Sequence, residues 1–352
     1  MKKLINQVDD ILTESLAGFA LAHQDLVSVF FEPNFVTRKK LSTNKVAVIS
    51  GGGSGHEPLH TGYVGLGMLD AACPGYVFTS PSPDQMLAAA EMVEASKGVL
   101  FIVKNYAGDV MNFEVAAEML SCESATVLVS DDVAVENSTY TTGQRGVAGT
   151  VIVEKCVGAL AETGASLADC KRLGDKVNSR MASMGVALSS CTVPAAGKPT
   201  FDLADNELEM GVGIHGEPGR ARQKMREADL IVAEMVAALL KDLTAKQLCF
   251  LENNSQNSAQ NNSENISENT SAIEEVLLLV NGFGATPQME LYLLFNSAAK
   301  LLQAAGITIS RSLVGNYTTA LDMAGASITI CAIDAEIKTL RDAPVNTAAL
   351  HW

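Results

Sequence analysis

Lys45-Val46-Ala47-Val48-Ile49-Ser50-Gly51-Gly52-Gly53-Ser54-Gly55-His56-Glu57-Pro58 is the stretch that decides the fold. Lys45 to Ser50 is brief and rich in β-branched and large apolar residues, which predicts a strand, and the glycines that follow let the backbone turn sharply. Two more runs of the same kind, Gly98 to Lys104 and Thr126 to Ser130, lie downstream. Pro83 to Ala95 has helical composition, with Met86, Leu87, Ala90 and Met92 available for a buried face. Strand, helix and strand in repetition imply a parallel sheet with crossover helices, an α/β/α arrangement.

With 352 residues the chain is too long for one ordinary core, and 47% hydrophobic with 18% charged residues is a globular composition. Two α/β domains are expected, at 1–184 and 185–352. Helices are predicted over Val147 to Leu160 and over Ser166 to Met184, the second leading out of the first domain. The smaller second domain would hold a mixed sheet. Its predicted strands are Gly185 to Ser190, Glu275 to Val280, Ile307 to Ser310 and Ala326 to Ile333, and its predicted helices are Arg220 to Leu243 and Pro287 to Ala305, the latter followed by Gly306. Residues 252–271 are polar and nearly free of hydrophobes, so burial cannot offset their ordering entropy and a disordered surface loop is expected.

A net charge of −15, with no basic stripe, excludes the electrostatic footprint of a nucleic-acid or anionic-membrane binder. No run reaches the roughly 18 apolar residues of a spanning helix, and acidic residues interrupt the N-terminus before a signal-peptide core forms. A cytoplasmic protein is expected. The seven cysteines are scattered without a C-x-x-C pair, so they read as reduced thiols. Without a signal peptide the Asn-x-Ser sequons of 252–271 carry little weight.

Gly51 to Gly55 sits where phosphate-cradling loops occur, yet it lacks the Gly-Lys-Ser/Thr ending of a P-loop and the spacing of a dinucleotide fingerprint. His56-Glu57-Pro58-Leu59-His60 has the letters of the zincin motif, but Pro58 and the upstream glycines place His56 before a helix rather than within one. No metal site is expected, and His60 reads as a helix or core residue. His23 and His351 read as surface or packing residues. Lys104, Tyr106 and Asp109 fall near the C-terminal edge of the predicted parallel sheet, where open α/β folds bind ligands. His215 is framed by Gly213 and Gly216, with Glu209 and Glu217 nearby. Strand ends also carry plain solvated charges, so spacing alone leaves these roles open.

Several strings together resemble the K subunit of bacterial dihydroxyacetone kinases: Ser50 to Pro58, Cys73-Pro74-Gly75, Phe78 to Pro81, Lys104-Asn105-Tyr106 with Gly108-Asp109 and Asn112-Phe113-Glu114, Cys191 to Pro199, Gly211 to Gly219, Leu321-Asp322-Met323, and the terminal Ala348 to Trp352. The likeness spans nearly the whole chain and departs mainly in the Asn/Ser-rich segment. It implies a two-domain subunit, usually a homodimer, that holds dihydroxyacetone. By the same resemblance His215 would bind the ketone as a hemiaminal, while Gly53, His56, Lys104 and Asp109 would contact or activate its hydroxyls.

The chemistry is consistent with those roles. A neutral imidazole nitrogen adds to the electrophilic carbon of a small ketone, a hold that glycerol cannot offer. Asp109 is the candidate general base, with His56 assisting, and Lys104 and the Gly53 N–H would orient the hydroxyls. Phosphoryl transfer needs metal-bound phosphates, and the sequence offers neither a P-loop nor a magnesium carboxylate cluster. ADP or ATP with Mg is therefore expected on a partner L subunit, recharged by an M subunit of the phosphoenolpyruvate phosphotransferase pathway. The resemblance agrees, since single-chain versions add a C-terminal nucleotide domain that would lie beyond Trp352. Two rival readings are a dihydroxyacetone-sensing paralogue acting on a transcriptional regulator, and a hydrolase or lyase using His215 as acid or base.

Overall fold

A computed structural model describes residues 2–93, 96–134, 143–258 and 273–352. After α1 (Ile11–Ala22), the first sheet collects β1 (Val27–Phe30), β2 (Phe35–Arg38), β3 (Ala47–Ser54), β5 (Ala71–Val77), β6 (Val99–Lys104) and β7 (Ser124–Val129), with the two-residue β4 (Gly65–Leu66) lying outside it. Its order is β1-β2-β5-β3-β6-β7; β5, β3, β6 and β7 run parallel, and β1 and β2 add an antiparallel edge. The parallel core follows from the crossovers. The helices α2 (Pro83–Met92) and α3 (Ala107–Met119) cover one face through Met86, Ala89, Phe113 and Ala116 against Ile49 and Phe101. The other face receives α4 (Thr150–Glu162) and α5 (Leu167–Ser179), whose Ile152, Val153, Leu173 and Val177 meet Val48, Ile102 and Val127.

The second sheet has the order β10-β9-β8-β13-β11-β12, from β8 (Met181–Ala187), β9 (Glu207–Met210), β10 (Ala221–Lys224), β11 (Glu275–Gly282), β12 (Thr308–Gly315) and β13 (Gly325–Ala332). Only β11 and β12 are parallel, so the sheet is mixed. One face packs on α6 (Ala228–Ser258) and α7 (Gln288–Ala304). Strand periodicity divides β11 cleanly: Val276, Leu278 and Val280 face those helices, whereas Leu277 and Leu279 join the cluster that contains α4 and α5. The layer of α4 and α5 therefore lies between the two sheets. Accordingly α4 is buried on every side, Glu154 and Lys155 included, as expected of a helix with no solvent face. The C-terminal α8 (Ala335–Asp342) packs on α4, and β14 (Asn346–Thr347) pairs with β4 in a separate two-stranded sheet.

Several boundaries differ from the sequence reading. Gly51 to Gly53 belong to β3 itself and do not form a turn, because parallel pairing with β5 continues through them after the pairing with β6 has ended at Ser50. The helix expected to reach Met184 stops at Ser179, and the second sheet starts at Met181, ahead of the border placed at 185. Apolar Met181 to Ala187 satisfies its backbone against β13. Arg220 to Lys224 pairs with β9 instead of opening a helix. The segment 252–271 is not a loop from its first residue: α6 runs on to Ser258, since propagating a formed helix costs far less than starting one. The rest of that segment, from 259, lies outside the described residues. Cys73, Cys122, Cys156, Cys170, Cys191 and Cys331 are free thiols. No described helix is long and apolar enough to cross a membrane.

Candidate active site

The glycine run carries β3 beyond its pairing with β6 to His56, and two glycines explain the close packing there. A Cβ on Gly52 would stand 2.3 Å from Lys104 Nζ, and one on Gly53 would stand 2.6 Å from the Thr79 nitrogen. Gly55, at φ +102°, turns the chain so that the His56 ring stacks on Phe78 with centroids 4.8 Å apart. The link to the second sheet is direct. The segment between β12 and β13 docks on this turn, with the Leu321 N–H donating to Gly55 O at 2.9 Å and the Thr319 N–H to His56 O at 3.2 Å.

His56 is 1% exposed. Its Nδ1 lies 2.7 Å from the Thr319 carbonyl oxygen, which can only accept, so the ring proton stands on Nδ1 and Nε2 keeps its lone pair. That Nε2 is buried without a hydrogen-bond partner. Burial first, then the charges of His215 and Lys104, push the His56 pKa well below 6.5, which leaves a neutral ring at neutral pH.

His215 arrives from the loop between β9 and β10. Gly216, at φ +77°, lets this loop fold back so that Glu217 reaches the histidine it follows. The Glu217 carboxylate accepts the His215 backbone N–H on Oε2 and faces Nδ1 with Oε1, both at 3.0 Å. A Cβ on Gly213 would fall 2.0 Å from Glu217 Oε2. Burial raises the Glu217 pKa, but His215 and the Arg145 guanidinium outweigh it and hold the group at about 2. The His215 side chain keeps 20% exposure, and its ring centroid lies 4.7 Å from those of both His56 and Tyr106 and 5.1 Å from that of Phe78.

Lys104 closes β6 and is fully buried. Its Nζ is 3.8 Å from Asp109 Oδ2, in the first turn of α3. Desolvation lowers the Lys104 pKa, opposed by Asp109 and Glu154. Asp109 Oδ1 and Tyr106 OH are buried with no partner. His56, His215, Tyr106, Lys104 and Asp109 thus gather at the C-terminal edge of the first sheet, and Gly53 lies at the end of β3. Unpartnered polar atoms in a buried pocket are what a small polar ligand would satisfy.

Sequence reasoning had left Glu217, Phe78, Thr319 and His60 without these roles. Glu217 and Phe78 stand inside the quoted strings, whereas Thr319 is 263 positions from His56 and gave no local signal. His60 is buried and faces Lys104 through Nε2 at 2.8 Å; it shares no helix with His56. Among the described residues, no group of three or more His, Cys, Asp or Glu is arranged to hold a metal.

These features define a class: an α/β protein of two six-stranded sheets with a buried and a partly exposed imidazole set edge to face where the sheets meet. The chain belongs to the Dak1 domain family, whose model matches residues 17–349. It is 50% identical, over its whole length and 99% of the relative, to the dihydroxyacetone-binding subunit of the PEP-dependent dihydroxyacetone kinase of Escherichia coli strain K12. It is 37% identical to the human triokinase/FMN cyclase, over 99% of this chain and 58% of that protein. Among solved structures, the dihydroxyacetone kinase operon co-activator Dha-DhaQ superposes with a TM-score of 0.83 at 32% identity, covering 98% of both chains.

Proposed function

We propose that this chain is the dihydroxyacetone-binding subunit of a phosphotransferase-dependent dihydroxyacetone kinase, transferring a phosphoryl group to an alcohol. The name and 50% identity of the Escherichia coli relative support this reading. The observation that carries it is the hydrogen-bonded His215–Glu217 pair set 4.7 Å, centroid to centroid, from a His56 ring with a free, buried Nε2.

With Nδ1–H turned to the Glu217 carboxylate, His215 presents its Nε2 lone pair. That nitrogen adds to the ketone carbon, and the carbonyl π pair moves to oxygen. The oxygen takes up a proton, balanced by the Nδ1 proton that His215 yields toward Glu217, and a neutral hemiaminal results. Selection then rests on carbonyl reactivity, which separates the ketose from glycerol better than size does. Asp109 accepts the proton of the terminal hydroxyl as it attacks phosphorus, His56 assists through its lone pair, and Lys104 and Gly53 orient the substrate. ADP or ATP with Mg would reside on the L subunit, itself recharged through the M subunit. The binding subunit would act as a homodimer in the cytoplasm.

Intact-mass measurement after incubation with dihydroxyacetone tests the anchor: the native chain gains the mass of one substrate and His215→Ala gains none. Turnover with the partner subunits supplied tests the kinase. Asp109→Asn should bind dihydroxyacetone and lose turnover; normal turnover removes Asp109 as base. The TM-score of 0.83 to an operon co-activator favours a second reading, a dihydroxyacetone sensor acting on a transcriptional regulator. A sensor would form the adduct and never yield dihydroxyacetone phosphate in that assay.

A further inference from the structure

Behind Lys104 stands a set of titratable groups that the reaction above does not use. Lys104 Nζ is 2.8 Å from His60 Nε2. On the far side of the same ring, His60 Nδ1 is 2.6 Å from Glu154 Oε1 and 3.0 Å from Ser50 Oγ. Glu154 projects from α4, the helix enclosed between the sheets; it is 0% exposed, and its Oε2 has no hydrogen-bond partner. A carboxylate this deep is costly unless its charge is balanced or removed by a proton. The connected atoms run from the active-site ammonium to the interior without a break.

We propose that His60 and Glu154 form a proton relay behind Lys104, through which the proton released by the substrate hydroxyl enters the protein and is stored on Glu154. This rests on reading the site as the place where a hydroxyl is phosphorylated. An ammonium has donors only, so in the resting arrangement Lys104 donates to His60 Nε2, and His60 Nδ1–H points at the Glu154 carboxylate. In the step, Lys104 gives one proton to Nε2 as Nδ1 gives its proton to Glu154 Oε1. The ammonium becomes an amine, the carboxylate an acid, and the imidazole stays neutral with its tautomer exchanged; total charge is unchanged. Asp109 takes the hydroxyl proton as the oxygen bonds to phosphorus and the bond to the donor's leaving oxygen breaks, and it passes that proton to the amine lone pair of Lys104, 3.8 Å away. When product leaves, Lys104 gives one proton to the departing product or to solvent, and the inner step then runs in reverse: Nε2 returns its proton to the Lys104 amine as Glu154 returns the stored proton to Nδ1.

The surroundings suit both arrangements. Burial pushes Glu154 up to about 8, against the Lys104 charge and the Ser50 hydrogen bond that pull it down. Burial lowers Lys104, against Asp109 and Glu154. His60 is driven well below 6.5 by burial, then by the charges of Lys104 and His56, so the ring conducts a proton and does not hold a second one. The remaining titratable neighbour is Tyr63, whose hydroxyl already donates to Tyr317 O at 2.7 Å and whose pKa burial raises well above 10.

The test uses His60→Gln and Glu154→Gln in the full chain with its phosphoryl-donor partners. Glutamine at 60 still offers an acceptor to Lys104 and a donor to Glu154, but it cannot pass a proton. The relay requires kcat to fall by at least about tenfold, within the range of a lost general acid–base group. Dihydroxyacetone affinity should stay within about threefold, and the change of kcat near pH 8 expected of the native chain should vanish. Native kcat and pH profile in both folded variants overturn the relay, because a merely structural ion pair would alter stability alone. Nitrogen-15 NMR of the native chain decides independently, even if neither variant folds. A neutral His60 exchanging between its Nδ1–H and Nε2–H forms is expected, and a doubly protonated or single frozen tautomer overturns the proposal. Should the native chain transfer no phosphoryl group from any donor, the functional reading falls, while the tautomer measurement still judges the relay.

Discussion

The Glu217 carboxylate holds His215 twice, taking the backbone N–H on one oxygen and facing ring Nδ1 with the other, each at 3.0 Å. The two contacts fix the ring's direction and its tautomer together, leaving Nε2 toward His56, Phe78 and Tyr106.

Glu217→Gln should therefore slow adduct formation without abolishing it. An amide oxygen still accepts Nδ1–H but gives less electron density to the ring and cannot share its positive charge. A reduction of about tenfold in the rate of mass gain with dihydroxyacetone is expected, of the order carried by one charge-assisted hydrogen bond. Because Glu217 titrates at about 2, its own protonation should leave the adduct rate untouched between pH 5 and 8. A native rate in the variant would detach Glu217 from the role.

Acid should destabilise the fold through its buried imidazoles. His56 and His60 both have pKa values driven well below 6.5, burial being the largest cause for each. The unfolded chain then binds more protons than the folded one below about pH 6.5, so stability is complete above that pH and declines as pH falls. The slope approaches about 1.4 kcal/mol per pH unit for each ring while it stays neutral in the fold. Urea unfolding at pH 7.5, 6.0 and 5.0 measures this, and His60→Gln should remove about one ring's share. A slope unchanged by that substitution contradicts a neutral buried His60.

The sequence made the parallel core legible because its strands are short apolar runs separated by helical ones. It pointed to the candidate site because His56 and His215 stand in unusual glycine contexts. Three things were not legible. The extent of β3 was hidden because glycine promises a turn, and only pairing with β5 holds Gly51 to Gly53 extended. The break between α5 and β8 was hidden because no Gly or Pro stands between Val177 and Met184, and only pairing with β13 ends the helical reading. Glu154 was hidden by lying 94 positions from the histidine it meets.

Gly52 and Gly53 should answer differently to the same added methyl. At Gly52 the clash is with Lys104 Nζ at 2.3 Å, the far end of a side chain that can withdraw. Gly52→Ala should keep stability within about 1–3 kcal/mol of native, the range of tolerated overpacking, yet lose most turnover because Lys104 leaves its place. At Gly53 the clash is with backbone, Thr79 N at 2.6 Å and Phe78 C at 2.8 Å, which cannot yield without moving the strand connection. Gly53→Ala should therefore cost more stability than Gly52→Ala. Thermal unfolding and the coupled assay on both variants check the contrast; equal loss of stability would show that Lys104 is as immovable as the main chain.

Asn281 offers the most distant control over His56. It is fully buried in β11, where its Oδ1 accepts the N–H groups of Tyr317 and Thr318 and its Nδ2 donates to Thr318 O, each at 2.8 Å. The next residue is Thr319, whose carbonyl takes the His56 Nδ1 proton. Asn281→Ala strips two backbone donors and one acceptor of their partner in the interior. A loss of about 1–3 kcal/mol for a buried unsatisfied group is expected, with a drop in turnover larger than the drop in adduct formation. His215 reaches the site from another loop and should still capture the ketone, whereas His56 would lose the contact that fixes its tautomer. Adduct yield and kcat falling in parallel would instead mean that the β12–β13 connection supports the whole pocket and not His56 in particular.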